Sequence, residues 1–119
     1  MSDERPETLE AFRHFRERMN AAILAADNLT IKRFFALDGR AYADGALPAR
    51  TKELLGLVAS LVLRCDDCIT YHLVRCREEG VPDAELFDAF SVALVAGGSI
   101  VIPHLRHAVA RLEELPPAP

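Results

Sequence analysis

Four side chains have both the chemistry and the spacing to act together: Glu53, Cys65, Cys68 and His72. Two cysteines separated by three residues at the start of a helix have α carbons about 5 Å apart, within the range a disulfide bridges. Such a pair can open and close. The amides at a helix start, together with the positive end of the helix dipole, favour a thiolate there, although Asp66 and Asp67 partly oppose it. A thiol with a pKa of about 8.5 is about 3% ionised at neutral pH, and a depression of two units raises that to roughly three quarters.

His72 follows Cys68 by one helical turn, so its imidazole shares a face with the Cys68 sulfur and is the candidate base. If the chain forms an antiparallel helical hairpin turning near Arg64, Glu53 comes almost opposite His72. The axial offset is about 4.5 Å, close enough for a carboxylate to bond the imidazole directly or through one water. Taken singly, each residue also has a structural reading: a carboxylate on a solvated face, a satisfied histidine, a cysteine pair open to redox or zinc chemistry. Their joint spacing points to one site.

Positioning these groups requires helices, and the hydrophobic periodicity supplies about six of them and no strand. The first covers about Glu7 to Ala26, with Phe12, Phe15, Met19 and Ile23 on one face, and the second runs from about Thr30 to Tyr42. Asp44-Gly-Ala-Leu-Pro48 ends the second, and Pro48 suits the first turn of the third. That third helix, about Ala49 to Leu63, is apolar nearly all round after Glu53 and should be central. The fourth begins near Cys65 to Asp67 and ends at Glu79, with Gly80 as its cap. Pro82-Asp-Ala-Glu85 starts the fifth, which ends at Gly97-Gly98, where capping is preferred over close backbone approach at a pocket. The sixth spans about Ile100 to Glu113, with Pro103 in its first turn or kinking it.

The expectation is therefore an all-α chain, one domain over 1–119, with frayed ends at 1–6 and 115–119. With 119 residues, 50% of them hydrophobic and 27% charged, the composition is that of an ordinary globular domain. A net charge of -4 with interspersed signs gives no basic stripe for nucleic acid. The apolar runs fall short of the roughly 20 residues of a membrane span. An acidic, polar start without signal-peptide character leads to a cytoplasmic expectation. Three cysteines in a reducing compartment suit catalysis or metal binding better than a structural disulfide framework. So much of the third and fifth helices is apolar that homo-oligomerisation is expected, the alternative being a snug monomer.

The motif of a glutamate, eleven intervening residues, Cys-x-x-Cys, three residues and a histidine resembles that of the alkylhydroperoxidase D-like, carboxymuconolactone decarboxylase family. Glu53, Cys65, Cys68 and His72 match it at every interval. Lys52-Glu-Leu-Leu55, Gly80-Val-Pro-Asp-Ala-Glu85 and Gly97-Gly98 extend the likeness over about Leu47 to Leu112. The resemblance implies an all-helical fold assembling into trimers or hexamers, with no metal or organic cofactor, and a dithiol peroxidase acting on a hydroperoxide. Carried over residue by residue, Cys68 would attack the hydroperoxide and become a sulfenic acid, and Cys65 would resolve it to the disulfide. His72 would take the Cys68 proton through a relay with Glu53, and an external dithiol protein would re-reduce the pair. The well-characterised peroxidases of the family are longer and carry a histidine just before the second cysteine, where this chain has Asp67.

Other readings stand beside this one. Cys65, Cys68, His72 and Cys76 share one helical face, but Cys65 and Cys76 would lie about 16 Å apart, too far for one zinc. A set of Cys65, Cys68 and His72, completed by Glu53, is the metal alternative, and Cys76 reads as a small buried hydrophobe. His104 and His107 could line a pocket but read as surface residues. Lactone decarboxylation, general thiol-disulfide exchange and a non-catalytic oligomeric subunit are the functional alternatives.

Overall fold

The computed structural model describes residues 8–119, and the described residues form six α-helices and no strand. The fraying expected over 1–6 lies outside the described residues. Helix α1 (Leu9–Ala25) starts where the Thr8 side chain accepts the Ala11 N–H at 3.1 Å, and α2 (Leu29–Tyr42) where Asn28 accepts that of Ile31 at 3.0 Å. Both are side-chain caps of otherwise unbonded amides. Ahead of α3 (Ala49–Leu63), Pro48 occupies the capping position rather than the first turn, and its missing cap is supplied by the Asp44 carboxylate, which accepts the Ala49 N–H at 2.7 Å.

Arg64, in the left-handed conformation (φ 61°), turns the chain so that α4 (Asp66–Glu78) packs back along α3. Gly80 (φ 84°) closes α4, and the Val81 N–H returns to the Cys76 carbonyl at 3.0 Å. Helix α5 (Asp83–Gly97) carries Asp83 and Glu85 in its first turn, where the helix dipole favours them. At its end the two glycines divide the work. Gly98 takes φ 83°, while a Cβ on Gly97 would stand 2.5 Å from Val101 Cγ2, so Gly97 permits close packing as well. A 3-10 turn (Ser99–Val101) leads into α6 (Ile102–Glu114), with Pro103 in the first turn and no kink to account for.

The core joins α3, α4, α5 and α6 through Leu57, Leu61, Ile69, Leu73, Cys76, Leu86, Phe90, Ala93, Val101 and Ala108. Helix α3 is covered on two sides by α4 and α5, yet Leu55 and Leu63 remain exposed along a third. Helix α1 docks through buried Leu9 and Phe12, and the Leu9 N–H donates to Glu114 at 3.0 Å. Of the apolar face expected for α1, Phe15 and Ile23 are exposed and Met19 is half-buried, and no residue of α2 is buried: Ile31, Phe34 and Phe35 are all exposed. The radius of gyration is 15.0 Å, against about 13.5 Å for a self-contained chain of this length. Among the described residues, α2 and the later part of α1 thus leave apolar side chains exposed. No helix among the described residues is long and apolar enough to cross a membrane.

Candidate active site

The turn between α3 and α4 builds the redox pair. Cys65 is the capping residue of α4, and its sulfur accepts the Cys68 N–H at 3.2 Å. With the two α carbons 5.3 Å apart, Cys65 and Cys68 are joined as a disulfide. Cys65 is half-buried and Cys68 exposed.

One turn below, the α3–α4 pairing sets the histidine. His72 Nδ1 donates to Glu53 Oε1 at 2.8 Å, a direct contact. Both residues are buried, Glu53 to within 1% of its surface. Arg75, one further turn along α4, brings its Nε 3.5 Å from Glu53 Oε2, which keeps the buried carboxylate paired on both oxygens. A hydrogen on Nδ1 leaves Nε2 of His72 free to accept, and the Tyr42 hydroxyl stands 3.5 Å from it. Burial, with the negative charges of Glu53 and Asp38 adding to it, pushes the Tyr42 phenol above its ordinary range, so it remains a protonated donor.

Cys68 and His72 open onto a cleft of about 460 Å³ between α1 and α4. Cys68, His72, Asp67 and Tyr71 form one wall, with Phe12, Phe15, Met19 and Arg16 facing them and Asp38 at the side. The Arg16 guanidinium lies 4.2 Å above the Tyr71 ring, a cation–π contact that ties α1 to α4. Cys68 meets this cleft and Cys65 does not, so the two sulfurs are distinguished by access. Among the described residues no group of three or more histidine, cysteine or carboxylate side chains is arranged to hold a metal ion.

Residues 28–111 match the model of the carboxymuconolactone decarboxylase family. The chain belongs to this family. The matched span takes in α2 as well as the residues from about 47 onward that carry the motif. A protein of Paracoccus denitrificans known as uncharacterized protein 4 in the cox locus is 34% identical over 82 residues, 69% of this chain and 74% of its own. In structure, the chain is similar to the Thermotoga maritima protein TM1620, with a TM-score of 0.85 and 58% identity over 88% of this chain and 92% of that one. A second crystal structure of TM1620, a carboxymuconolactone decarboxylase family protein described as a candidate participant in an antioxidative response, gives 0.83 and 58% over 87% and 88%. A family protein of Legionella pneumophila shares the fold at a TM-score of 0.82 and 23% identity, covering 89% of this chain and 95% of that chain.

Within this member of the family, the structure adds three residues that spacing did not single out. Tyr42 comes from the end of α2 and Arg75 from α4. The third is Gly56: a Cβ there would lie 2.6 Å from His72 Cε1 and 2.7 Å from the Tyr42 oxygen. A glycine inside an apolar helix costs about 1 kcal/mol relative to alanine, and that was the available signal for a close approach. His104 of α6, weighed from sequence as a pocket residue, pairs with Asp66 at 2.8 Å and takes no part in the cleft.

Cys76 stands apart from the site. It is fully buried, and burial above all pushes its thiol up to about 12. At pH 8 only about one in 10⁴ such thiols is ionised, against about a quarter for an ordinary one. Alkylation of the native, reduced protein at that pH is therefore expected to modify Cys68 and Cys65 and to spare Cys76 until denaturant is added, as peptide mass mapping would read directly.

Proposed function

We propose that this protein is a dithiol-dependent hydroperoxide reductase. The observation that carries the reading is the placement of Cys68 beside His72 on the cleft wall, with Cys65 bonded behind it. The Cys68 thiolate, its proton taken by His72 Nε2, attacks the terminal oxygen of ROOH. The O–O bond breaks, the alkoxide takes that proton and leaves as ROH, and Cys68 becomes S–OH. The Cys65 sulfur then attacks the Cys68 sulfur, releasing the hydroxyl as water and closing the disulfide. A reduced dithiol protein returns two electrons and two protons, and Glu53 holds the imidazole in register throughout.

Thiol-disulfide exchange with a protein partner is the second reading, favoured by the exposure of Cys68. An acidic lactone is a poorer fit, since Asp38 and Asp67 share the cleft with a single arginine. The reading further includes a cytoplasmic setting, where reduced dithiol proteins are available. It also includes a single domain and assembly into trimers or hexamers that cover Phe34, Leu37 and Val95, all well exposed on the lone chain.

The test is to mix reduced protein with stoichiometric alkyl hydroperoxide, follow peroxide loss, and map the products by non-reducing mass spectrometry. Consumption with a new Cys65–Cys68 disulfide supports the reading, and intact thiols beside unspent peroxide reject it. Glu53→Gln keeps the shape but removes the charge facing Nδ1, and is expected to lower kcat/KM for peroxide about tenfold. A change smaller than twofold would remove Glu53 from the mechanism.

A further inference from the structure

Asp66 and His104 take no part in the Glu53–His72 contact, yet they meet beside the redox pair. Asp66 is the first residue of α4, next to Cys65 in the chain. His104 comes from the start of α6, and its Nδ1 lies 2.8 Å from Asp66 Oδ1. Helix packing delivers it there. Gly98 turns the chain at φ 83°, Val101 is fully buried in the core, and α6 lies against α4.

A carboxylate beside a helix-start cysteine opposes the effect of the dipole, because it disfavours a second negative charge on sulfur. A hydrogen bond donated to that carboxylate holds it toward the donor and spreads its charge. We propose that His104 is a positioning residue of the redox pair: it holds the Asp66 carboxylate to α6, and so raises the thiolate content of the reduced Cys65–Cys68 dithiol. The inference rests on this dithiol being the working group, and not on the identity of the oxidant. The other charged or titratable groups near the pair, Arg64 and Asp67 along the chain, Tyr71 and His72 on α4, and Arg16 of α1 and Asp38 of α2 in the cleft with Cys68, are unchanged by the test.

The test titrates the full-length reduced protein and follows the ultraviolet absorbance of thiolate for wild type, His104→Gln, Asp66→Asn and the double variant. Cys76, pushed up to about 12, stays outside the window. On the acidic side of the midpoint, His104→Gln should hold about threefold less thiolate than wild type, a size suited to a half-exposed pair. Asp66→Asn should hold more, and adding His104→Gln to it should change nothing further. An unchanged curve for His104→Gln, a shift that persists in the Asp66→Asn background, or an Asp66→Asn curve equal to wild type would each overturn the proposal. If His104→Gln fails to fold, the Asp66→Asn arm still keeps the proposal falsifiable, since a curve equal to wild type overturns it. A protein inert to peroxide that still shows these shifts would reject the peroxidase reading alone, and an active one without them would reject this proposal alone.

Discussion

Cys68→Ser is expected to abolish peroxide consumption, lowering the rate on the order of 10³-fold or more, about 4 kcal/mol of barrier. A serine hydroxyl is essentially un-ionised where a cysteine is partly thiolate, and His72 alone cannot supply that difference. Cys65→Ser should behave differently. Its Cys68 remains on the cleft wall, so one equivalent of peroxide should still be reduced, leaving Cys68 as a sulfenic acid that a dimedone-type reagent captures. If instead Cys65→Ser is the inert variant and Cys68→Ser turns over once, the roles of the two sulfurs are exchanged. The exposure of Cys68 and the half-burial of Cys65 argue for the first outcome.

Gly56→Ala is expected to separate activity from stability. The new methyl would stand within 2.8 Å of two His72 ring atoms and the Tyr42 oxygen, closer than carbon contacts allow. Glu53, one turn earlier on the same helix, holds Nδ1 of the imidazole at 2.8 Å, so a ring pushed away from Gly56 stretches that bond. Displacing a catalytic group by about 1 Å can cost about 100-fold in rate, and a loss of that size in kcat/KM is the expectation. Overpacking would destabilise by about 1 to 3 kcal/mol, but the higher helix propensity of alanine returns about 1. The net loss of about 0 to 2 kcal/mol should lower Tm by no more than about 10 °C and leave the protein folded at assay temperature, while peroxide reduction collapses. Activity kept within threefold of wild type would mean that the His72 position is unimportant.

The parts of the site that spacing reveals are those strung along one hairpin. Glu53, Cys65, Cys68 and His72 are separated by countable turns of two consecutive helices, so periodicity places them on one another's level before any tertiary detail is known. Tyr42 and His104 reach the same region from α2 and α6, and no local interval encodes where those helices dock. The helices themselves are legible because their apolar periodicity is strong and because glycine and proline punctuate three of the five junctions, at 45–48, 80–82 and 97–103. What periodicity could not show is which apolar stripes are satisfied internally. The stripe of α2 looks like any core-facing stripe in sequence, but the described residues do not bury it.

The burial of Cys76 has a combinatorial consequence. Three cysteines can in principle close three different intramolecular disulfides, and two of those would include Cys76. It shares the rigid rod of α4 with Cys68, eight residues or about 12 Å along the axis, and lies further still from Cys65, beyond the roughly 7 Å that a bridge tolerates. Held away from solvent and protonated, it also cannot act as an attacking nucleophile. Only one of the three isomers is reachable without melting a helix, so repeated cycles of oxidation return the chain to the same covalent species with no scrambling to correct.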